Sequence, residues 1–595
     1  MTTPDPTLAS PHSPTLDDWV SRHADEVIAA AERLGTPVVC ASGLSPSGPI
    51  HLGNLREVMT PHLVADEVRR RGIACDHLIS WDDYDRFRKV PAGIDGVDES
   101  WNEHIGKPLT AVPAPPGSAH DSWAAHFRAQ CEQSLAELGI TYRGISQTAQ
   151  YTAGAYAEQV LFAMKHRTQI DTVLDRYRTL DAAAKAGTPQ PLSEDEQSAA
   201  DDAAEGSGAA AEDDGSSGAE YYPYKPYCTL CDRDTTTVTA YDDDSTELTY
   251  TCSCGHGETV LLKDFHHGKL VWKVDWPMRW AFEKVIFEPS GVDHQSPGSS
   301  FAVGLDLAPL FGWQRPIGPM YAFVGIKGMA KMSSSRGQVP VPADALQIME
   351  PAVLRWMYAR RKPNQSFEVA FDAELLRLYD EWDALNRRIS AGSAQAAEQA
   401  AHARASSTAD GGLLPVTPRP VAYRTLASVV DITTGDADQL LRIVSQVEEE
   451  PIADLGELRP RLSCVEHWVA DRMPPEDRTV VRTAPDAVGH SALTDDQRDA
   501  LAMLLDGNGE DLPRIETAWS IAGLTHQVYG VPKVQRGLAA DQIVKGDKEL
   551  STAQREFFRL VYQLLIGKDT GPRLPTLLLA VGPERVRELV TIQPR

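Results

Sequence analysis

Two stretches far apart in this chain carry side chains suited to a phosphate ligand: ASGLSPSGPIHLGNLRE from Ala41 to Glu57, and KGMAKMSSSRG from Lys327 to Gly337. In the first, Gly43 and Gly48 let a ligand approach the backbone, and the start of the following helix offers free N–H groups and the positive end of its dipole. His51 and Asn54 fall one turn apart as hydrogen-bond donors toward a triphosphate. In the second, Lys331 sits among Met332, Ser333, Ser334 and Ser335, a small-residue loop able to close an amine onto the β- and γ-phosphates as pyrophosphate departs. Alone, each stretch reads as readily as a capped helix start or a solvent-exposed turn. In this order, a domain's length apart, they point to nucleotide chemistry.

The elements that would position them follow from periodicity. Apolar PVVCA (37–41) predicts a strand, SGLSPSGP a loop, and 51–71 an amphipathic helix with Leu52, Leu55, Met59, Leu63 and Val64 on one side. This strand-loop-helix unit predicts an α/β fold with a Rossmann-type parallel sheet, which binds ligands at the carboxyl ends of its strands. We expect a flexible tail over 1–14 and a catalytic domain over 15–361, interrupted by an insertion at about 92–269. Within that insertion, 191–220 is acidic, small-residue and free of Phe and Trp, so disorder is expected there until the tyrosines begin at 221. A helical connector and linker should occupy 362–412, and apolar residues at helical spacing predict an all-α region over 413–595.

Cys228 and Cys231 form a CxxC, and Cys252 and Cys254 a CSC followed by His256, with two β-favouring runs between them. That is the layout of a zinc ribbon, with four thiolates at the hairpin ends and His256 as the alternative to Cys254. Four thiolates leave no open position for water, so the expected Zn2+ is structural. Four reduced thiols in a small hairpin would be the plainer reading.

The two phosphate-handling stretches resemble the HIGH and KMSKS motifs of class I aminoacyl-tRNA synthetases. The fourth position of the first is Asn54 instead of histidine, and that of the second is Ser334 instead of lysine. Both departures keep hydrogen-bonding capacity but place more of the pyrophosphate charge on Lys331. Longer strings, WDDYDRFRKVP (81–91), VWKVDWPMRW (271–280), FEPSGVDH (287–294) and GPMYAFVGIKG (318–328), are similar to the class I lysyl-tRNA synthetases, from about Pro37 to the C-terminus.

The resemblance implies ATP-dependent formation of lysyl-adenylate and its transfer to the 3′-terminal ribose of tRNA(Lys), at the 2′-hydroxyl. It implies Mg2+ on the ATP phosphates and helical anticodon reading toward the C-terminus. Pro46, Gly48, His51, Gly53, Asn54 and Lys331 to Ser335 would bind ATP, with His51, Asn54 and Lys331 catalytic. Gly43, Ser45, Trp272, His294 and Tyr321 would face lysine. An ε-ammonium needs acceptors or an aromatic face, and Asp82 and Asp83 are added on that ground, although a DD pair after a strand also caps helices.

A formal net charge of -27 is unfavourable for a polyanion at long range, so tRNA would require a local basic surface, for which 69–71 (RRR), 86–89 and 360–362 are candidates. No apolar run is long enough for a membrane span and no secretory h-region opens the chain, so a cytoplasmic location is expected; a monomer is the working expectation for the oligomeric state, which the sequence does not fix. The nearest alternative is a glutamyl-type class I enzyme, which would need cations where this pocket is aromatic and acidic. A nucleotidylyltransferase would not need the ribbon or the helical half. A noncatalytic tRNA-binding paralogue is disfavoured because His51, Asn54 and Lys331 are all present.

Overall fold

The computed structural model describes residues 18–186, 220–296, 299–328, 339–448, 450–509 and 511–591. The expected tail (1–14), nearly all of the acidic segment (191–219) and the loop carrying Lys331, Met332, Ser333, Ser334 and Ser335 therefore lie outside the described residues. The chain divides into two compact units, Met1–Ala370 with Leu385–Pro415, and Phe371–Ala384 with Val416–Arg595.

In the first unit, α1 (Trp19–Leu34) starts where the Asp18 side chain accepts from the Ser21 N–H and stops at Gly35, whose φ of 64° suits a residue without a side chain. Next come β1 (Val38–Leu44), α2 (Leu55–Arg70) and β2 (Cys75–Trp81), with β1 and β2 parallel from Val38 opposite Cys75 to Leu44 opposite Trp81. Then α3 (Trp123–Glu137) leads to β3 (Arg143–Ser146), parallel to β2, and α4 (Gln147–Thr152) follows without a linker.

Further on, β4 (Tyr224–Pro226) pairs antiparallel with β8 (Gly268–Leu270), and between them β5 (Thr236–Tyr241), β6 (Glu247–Cys252) and β7 (Gly257–Leu261) form a small antiparallel sheet. Last are β9 (Ser290–Gly291), β10 (Met320–Tyr321), β11 (Val324–Ile326) and β12 (Phe367–Val369), of which β9 pairs with β10 and β11 with β12, both in parallel.

Phe287, just before β9, bridges in parallel to Cys40 of β1 on one side and to Ile317 on the other, through Ala41 N–H to Phe287 O at 2.8 Å and Ile317 N–H to Ile286 O at 2.7 Å. The parallel layer therefore runs β3, β2, β1, 286–291, 317–321. The connections reverse direction beside β1, which makes the carboxyl ends of β1 and the 286–291 segment the switch point where such sheets bind ligands.

Two differences from the sequence reading have plain causes. The stretch read as insertion, 92–269, supplies β3 to the main sheet; only Ile145 of that strand is buried, so no apolar run announced it. The catalytic unit also continues past 361, because β12 at 367–369 pairs with β11.

The helix Trp272–Glu283 covers the sheet with Trp272, Trp276 and Trp280, spaced four apart on one face, packed among Val39, Ala41, Leu78 and Ile145. Arg404, on the helix Ala396–Ser406, is buried between α1 and α2, bonded to Asp18 at 2.7 Å and Glu67 at 2.7 Å. The RRR run is also spent internally: Arg69 pairs with Asp410, Arg70 with Asp66, and Arg71 with Asp25 and Glu67, so it is not a free basic surface.

Among its described residues the second unit is helical, including Tyr423–Thr433, Arg461–Asp471, Asp495–Asp506, Ile521–Val534, Lys548–Ile566 and Leu574–Val581. Arg461 is buried there beneath Tyr379, 5.0 Å from its ring, and paired with Asp383 at 2.9 Å.

Replacing Arg404 by Met leaves buried Asp18 without its cation and Glu67 with Arg71 alone, a change that costs about 3–5 kcal/mol. A thermal melt should show the Arg404→Met unfolding midpoint several degrees below the parent; an unchanged midpoint would contradict this role.

Candidate active site

β1 delivers Gly43 and Leu44 to the switch point, and the chain then turns through 45–50 before α2. Trp123, the first residue of α3, steadies that loop by donating its indole N–H to Ser47 O at 2.9 Å. The expected helix start at His51 moves to Leu55, because 51–54 closes as a tight turn of its own. Asn54 N–H donates to His51 O at 2.9 Å, His51 N–H to Asn54 Oδ1 at 3.2 Å, and Gly53 N–H to His51 Nδ1 at 3.0 Å.

These bonds define what the two side chains can offer a ligand. With Nδ1 accepting, the proton of a neutral His51 resides on Nε2, and burial lowers its pKa to about 4, so the ring is a neutral donor. Asn54 spends its carbonyl oxygen on the turn and keeps its amide N–H groups. The turn is also tied to the chain just beyond the second signature loop, Leu52 N–H donating to Pro340 O at 3.0 Å, while Tyr358 OH donates to Leu52 O at 3.1 Å.

Beside this turn a cavity opens, lined by Gly43, Ser80, Gln147, Tyr156, Trp272, Trp276, Arg279 and Glu288. Trp272 stacks on Trp276 at 5.1 Å between ring centres, and Glu288 accepts from the indole N–H groups of Trp276 at 2.9 Å and Trp280 at 2.5 Å. Arg279 donates to Asp82 at 2.5 Å, to Ser80 Oγ at 3.1 Å and to Asp275, one turn earlier on its own helix. Gln147 Nε2 also donates to Ser80 Oγ, at 2.7 Å, leaving its buried Oε1 unbonded.

Burial is the main cause that raises the pKa of Asp82 to about 6, of Glu288 to about 7 and of Glu57 to about 8. Glu57 and Glu288 are hydrogen-bonded by neutral donors, whereas the buried cations nearby, Arg279 and Lys269, are paired with Asp82 and Asp275 and with Asp85, Lys269 also lying 3.9 Å from Asp275.

Of the residues expected to face an amino acid, Gly43 and Trp272 line the cavity directly. Tyr321 stands behind it, donating its hydroxyl to Glu57 Oε2 at 2.8 Å; Asp82 is reached through Arg279, and His294 packs edge-on against Trp276 at 5.5 Å. His294 is neutral, its pKa lowered to about 4 by burial. Ser45 lies on the loop after β1, outside the lining, and Asp83 accepts from Thr148 N–H at 2.8 Å, so it caps α4 and does not face the cavity.

Sequence reasoning missed Glu57, Arg279, Glu288 and Gln147. Arg279 was signalled by its four-residue spacing from Asp275; Gln147 and Glu57 reach the site only through the closed sheet, which no local pattern foretells.

In the small sheet of β5 to β7, the sulfurs of Cys228, Cys231, Cys252 and Cys254 all lie within 4.8 Å of one another. Cys228 Sγ is 3.7 Å from Cys254 Sγ and Cys231 Sγ is 3.7 Å from Cys252 Sγ. A tetrahedral zinc with bonds of about 2.3 Å would hold its sulfurs about 3.8 Å apart, so the quartet fits such an ion. His256 stands outside this group, its Nε2 bonded to Thr229 at 3.1 Å and near Glu258, which removes it as the alternative ligand.

A parallel sheet with a glycine-rich, self-bonded turn after its first strand and a small pocket of indoles and carboxyl groups at its switch point is the architecture of a class I aminoacyl-tRNA synthetase. The family model described as tRNA synthetases class I (K) matches residues 17–411. The lysine–tRNA ligase of Streptomyces coelicolor is 65% identical over 580 residues, covering 96% of this chain and 98% of its own. That of Treponema pallidum is 33% identical over 582 residues, with 96% and 98% covered. The chain belongs to the class I lysyl-tRNA synthetases. Among solved structures, a glutamate tRNA ligase from Elizabethkingia meningosepticum is similar at 12% identity and a TM-score of 0.39, over 93% of this chain and 100% of that one.

Because the His51 pKa is lowered to about 4, its ionisation adds no limb between about pH 6 and about pH 8, so the profile of kcat/KM for ATP at saturating lysine should have the same shape over that range in the parent and in His51→Asn. A pH profile with a limb in that interval that disappears in His51→Asn would contradict the neutral donor.

Proposed function

We infer that this chain ligates lysine to tRNA(Lys) in two steps. An oxygen of the lysine carboxylate attacks the α-phosphorus of ATP, the bond to pyrophosphate breaks, and the lysyl-adenylate remains. The 2′-hydroxyl of the tRNA's terminal ribose then attacks the lysyl carbonyl, its proton leaves, and AMP departs. No enzyme nucleophile is required, so the site works by position and by charge stabilisation.

His51 Nε2–H and the Asn54 amide are placed to donate to the triphosphate, with Pro46, Gly48 and Gly53 shaping the turn and Lys331, Met332, Ser333, Ser334 and Ser335 closing over pyrophosphate. Mg2+ accompanies the phosphates and is held largely by the nucleotide. Gly43, Ser45, Asp82, Trp272, His294 and Tyr321 form the lysine side, and Asp83 is assigned to capping α4 instead. The observation that carries this reading is the pocket beside Gly43, walled by Trp272 and Trp276, with the buried carboxyl groups of Glu57, Asp82 and Glu288 gathered around it. A dicationic amino acid suits it and a glutamate does not.

The four cysteines hold a structural Zn2+, which locks the β5–β7 ribbon. The helical second unit, 416–595, reads the anticodon, and the enzyme acts in the cytoplasm as a monomer. Among the described residues no helix is long and apolar enough to cross a membrane.

Charging of total tRNA with radiolabelled amino acids tests the reading directly. Lysine should be esterified and glutamate not, and His51→Ala or Lys331→Ala should lower the rate by about a hundredfold; glutamate charging, or full activity in both variants, would sink it. For the ribbon, metal analysis should find one tightly bound zinc per chain, lost in Cys228→Ser together with a lower unfolding midpoint. Metal-free protein of unchanged stability would contradict the structural ion.

A further inference from the structure

Glu57 lies on the first turn of α2 and reaches back to the end of β1. Its Oε1 accepts from Gly43 N–H at 3.2 Å and its Oε2 from Tyr321 OH at 2.8 Å, so β1, α2 and β10 meet at this carboxylate. Gly43 has no side chain here, and an atom placed at its Cβ position would lie 3.7 Å from Glu57 Oε1 and 3.8 Å from Asp82 Oδ2. Two buried carboxylates thus converge on a space that the glycine leaves clear. Gly43 also lines the cavity, together with Gln147, whose buried Oε1 lacks a hydrogen-bond partner. A cation is the ligand these acceptors share.

We infer that Glu57, with Asp82 across the end of β1, is the counter-charge for an ammonium group of the substrate, and so a specificity-determining residue of this site. The inference rests on the lysine reading above, because lysine presents two ammonium groups where most amino acids present one. The bland account of Glu57 is a strut joining β1, α2 and β10. A strut has no need of charge: Tyr321 and Gly43 are neutral donors, and an amide could bond to both. Arg56, the neighbouring cation on α2, is turned away to the carbonyls of Lys362 at 2.7 Å and Pro363 at 2.5 Å, so it does not neutralise Glu57.

The groups facing Glu57 from the packed elements are Tyr321, Asp82 and Glu288, and none of them is a cation. Burial first, and then the neighbouring Glu288 and Asp82 charges, raise the Glu57 pKa to about 8 against the lowering bonds from Tyr321 and Gly43. In the substrate-free protein Glu57 is therefore protonated at neutral pH. A bound ammonium draws off that proton, which costs more the further the pH lies below the raised pKa. Affinity for lysine should accordingly increase with pH and level off above about 8.

The test is steady-state aminoacylation by the full-length protein with total tRNA. Glu57→Gln, which keeps the size of the side chain and an acceptor for Gly43, should raise KM for lysine at least about tenfold, leave KM for ATP within about twofold, and abolish the pH limb in kcat/KM for lysine. L-Norleucine, which retains only the α-ammonium, and 6-aminohexanoate, which retains only the ε-ammonium, report which group is held. As competitive inhibitors, one should weaken at least about tenfold in the variant and the other stay within about twofold.

Unchanged KM for lysine, or a parallel rise in KM for ATP and weakening of both analogues, would overturn the assignment. If Glu57→Gln melts well below the parent, Gly43→Ala supplies the second variant: its methyl fits in ordinary van der Waals contact with both carboxylates, fills the space between them while leaving Glu57 unsubstituted, and should raise KM for lysine in the same selective way. Wild-type protein that charges no lysine would overturn the reading of the enzyme itself, whereas wild-type charging with an indifferent variant overturns Glu57 alone.

Discussion

Buried negative charge at the switch point of a parallel sheet is the constraint around which this active site is arranged. Glu57, Asp82, Asp275 and Glu288 converge from α2, the end of β2, the tryptophan-bearing helix and the segment beside β1; Arg279 and Lys269 stand against Asp82 and Asp275, while Glu57 and Glu288 have only neutral hydrogen-bond donors. Carboxylates out of water are unfavourable unless paired, so proteins normally neutralise them by protonation or bonding. Here Glu57 and Glu288 are held by indole, phenol and backbone donors while burial raises their pKa values to about 8 and about 7, so each can release a proton to form a charge beside an incoming cation. The stacked indoles of Trp272 and Trp276 add faces that favour the same ligand.

The same architecture positions the nucleotide side. α2 is preceded by the self-bonded 51–54 turn, which carries a buried, neutral histidine, and on the first turn of the helix Glu57 reaches back to Gly43. On the function proposed above, amino acid and triphosphate would be addressed by successive turns at the start of one helix, which would fix the carboxylate of one relative to the α-phosphate of the other. Arg56, between them, fastens the helix to the 362–365 loop by carbonyl bonds, and Leu52 fastens it to Pro340, three residues past the end of the second signature. Positioning of this kind supplies much of what a reaction without an enzyme nucleophile requires.

What could be read in the sequence divides along physical lines. Local chemistry was legible: the glycine-rich turn with His51 and Asn54, the four cysteines whose sulfurs gather in one group, and the Trp272, Trp276, Trp280 stripe. Non-local closure was not. β3 is too short and too exposed to register as a strand, and Gln147 enters the site only because β3 carries it there. Glu57 stood within the first signature without an evident role, since its partners Gly43 and Tyr321 meet it only after the sheet is assembled. The RRR run misled for the opposite reason: its charges are plain in the sequence, while the acids that absorb them come from α1, α2 and Asp410.

The account stands on the claim that this pocket selects a dicationic amino acid and passes it to ATP. ATP–pyrophosphate exchange, run with each standard amino acid in turn and with and without tRNA, tests it most directly. The account predicts exchange with lysine, and none above background with glutamate or with neutral amino acids of similar length. Exchange supported by glutamate, or equally by lysine and a neutral amino acid, would contradict it.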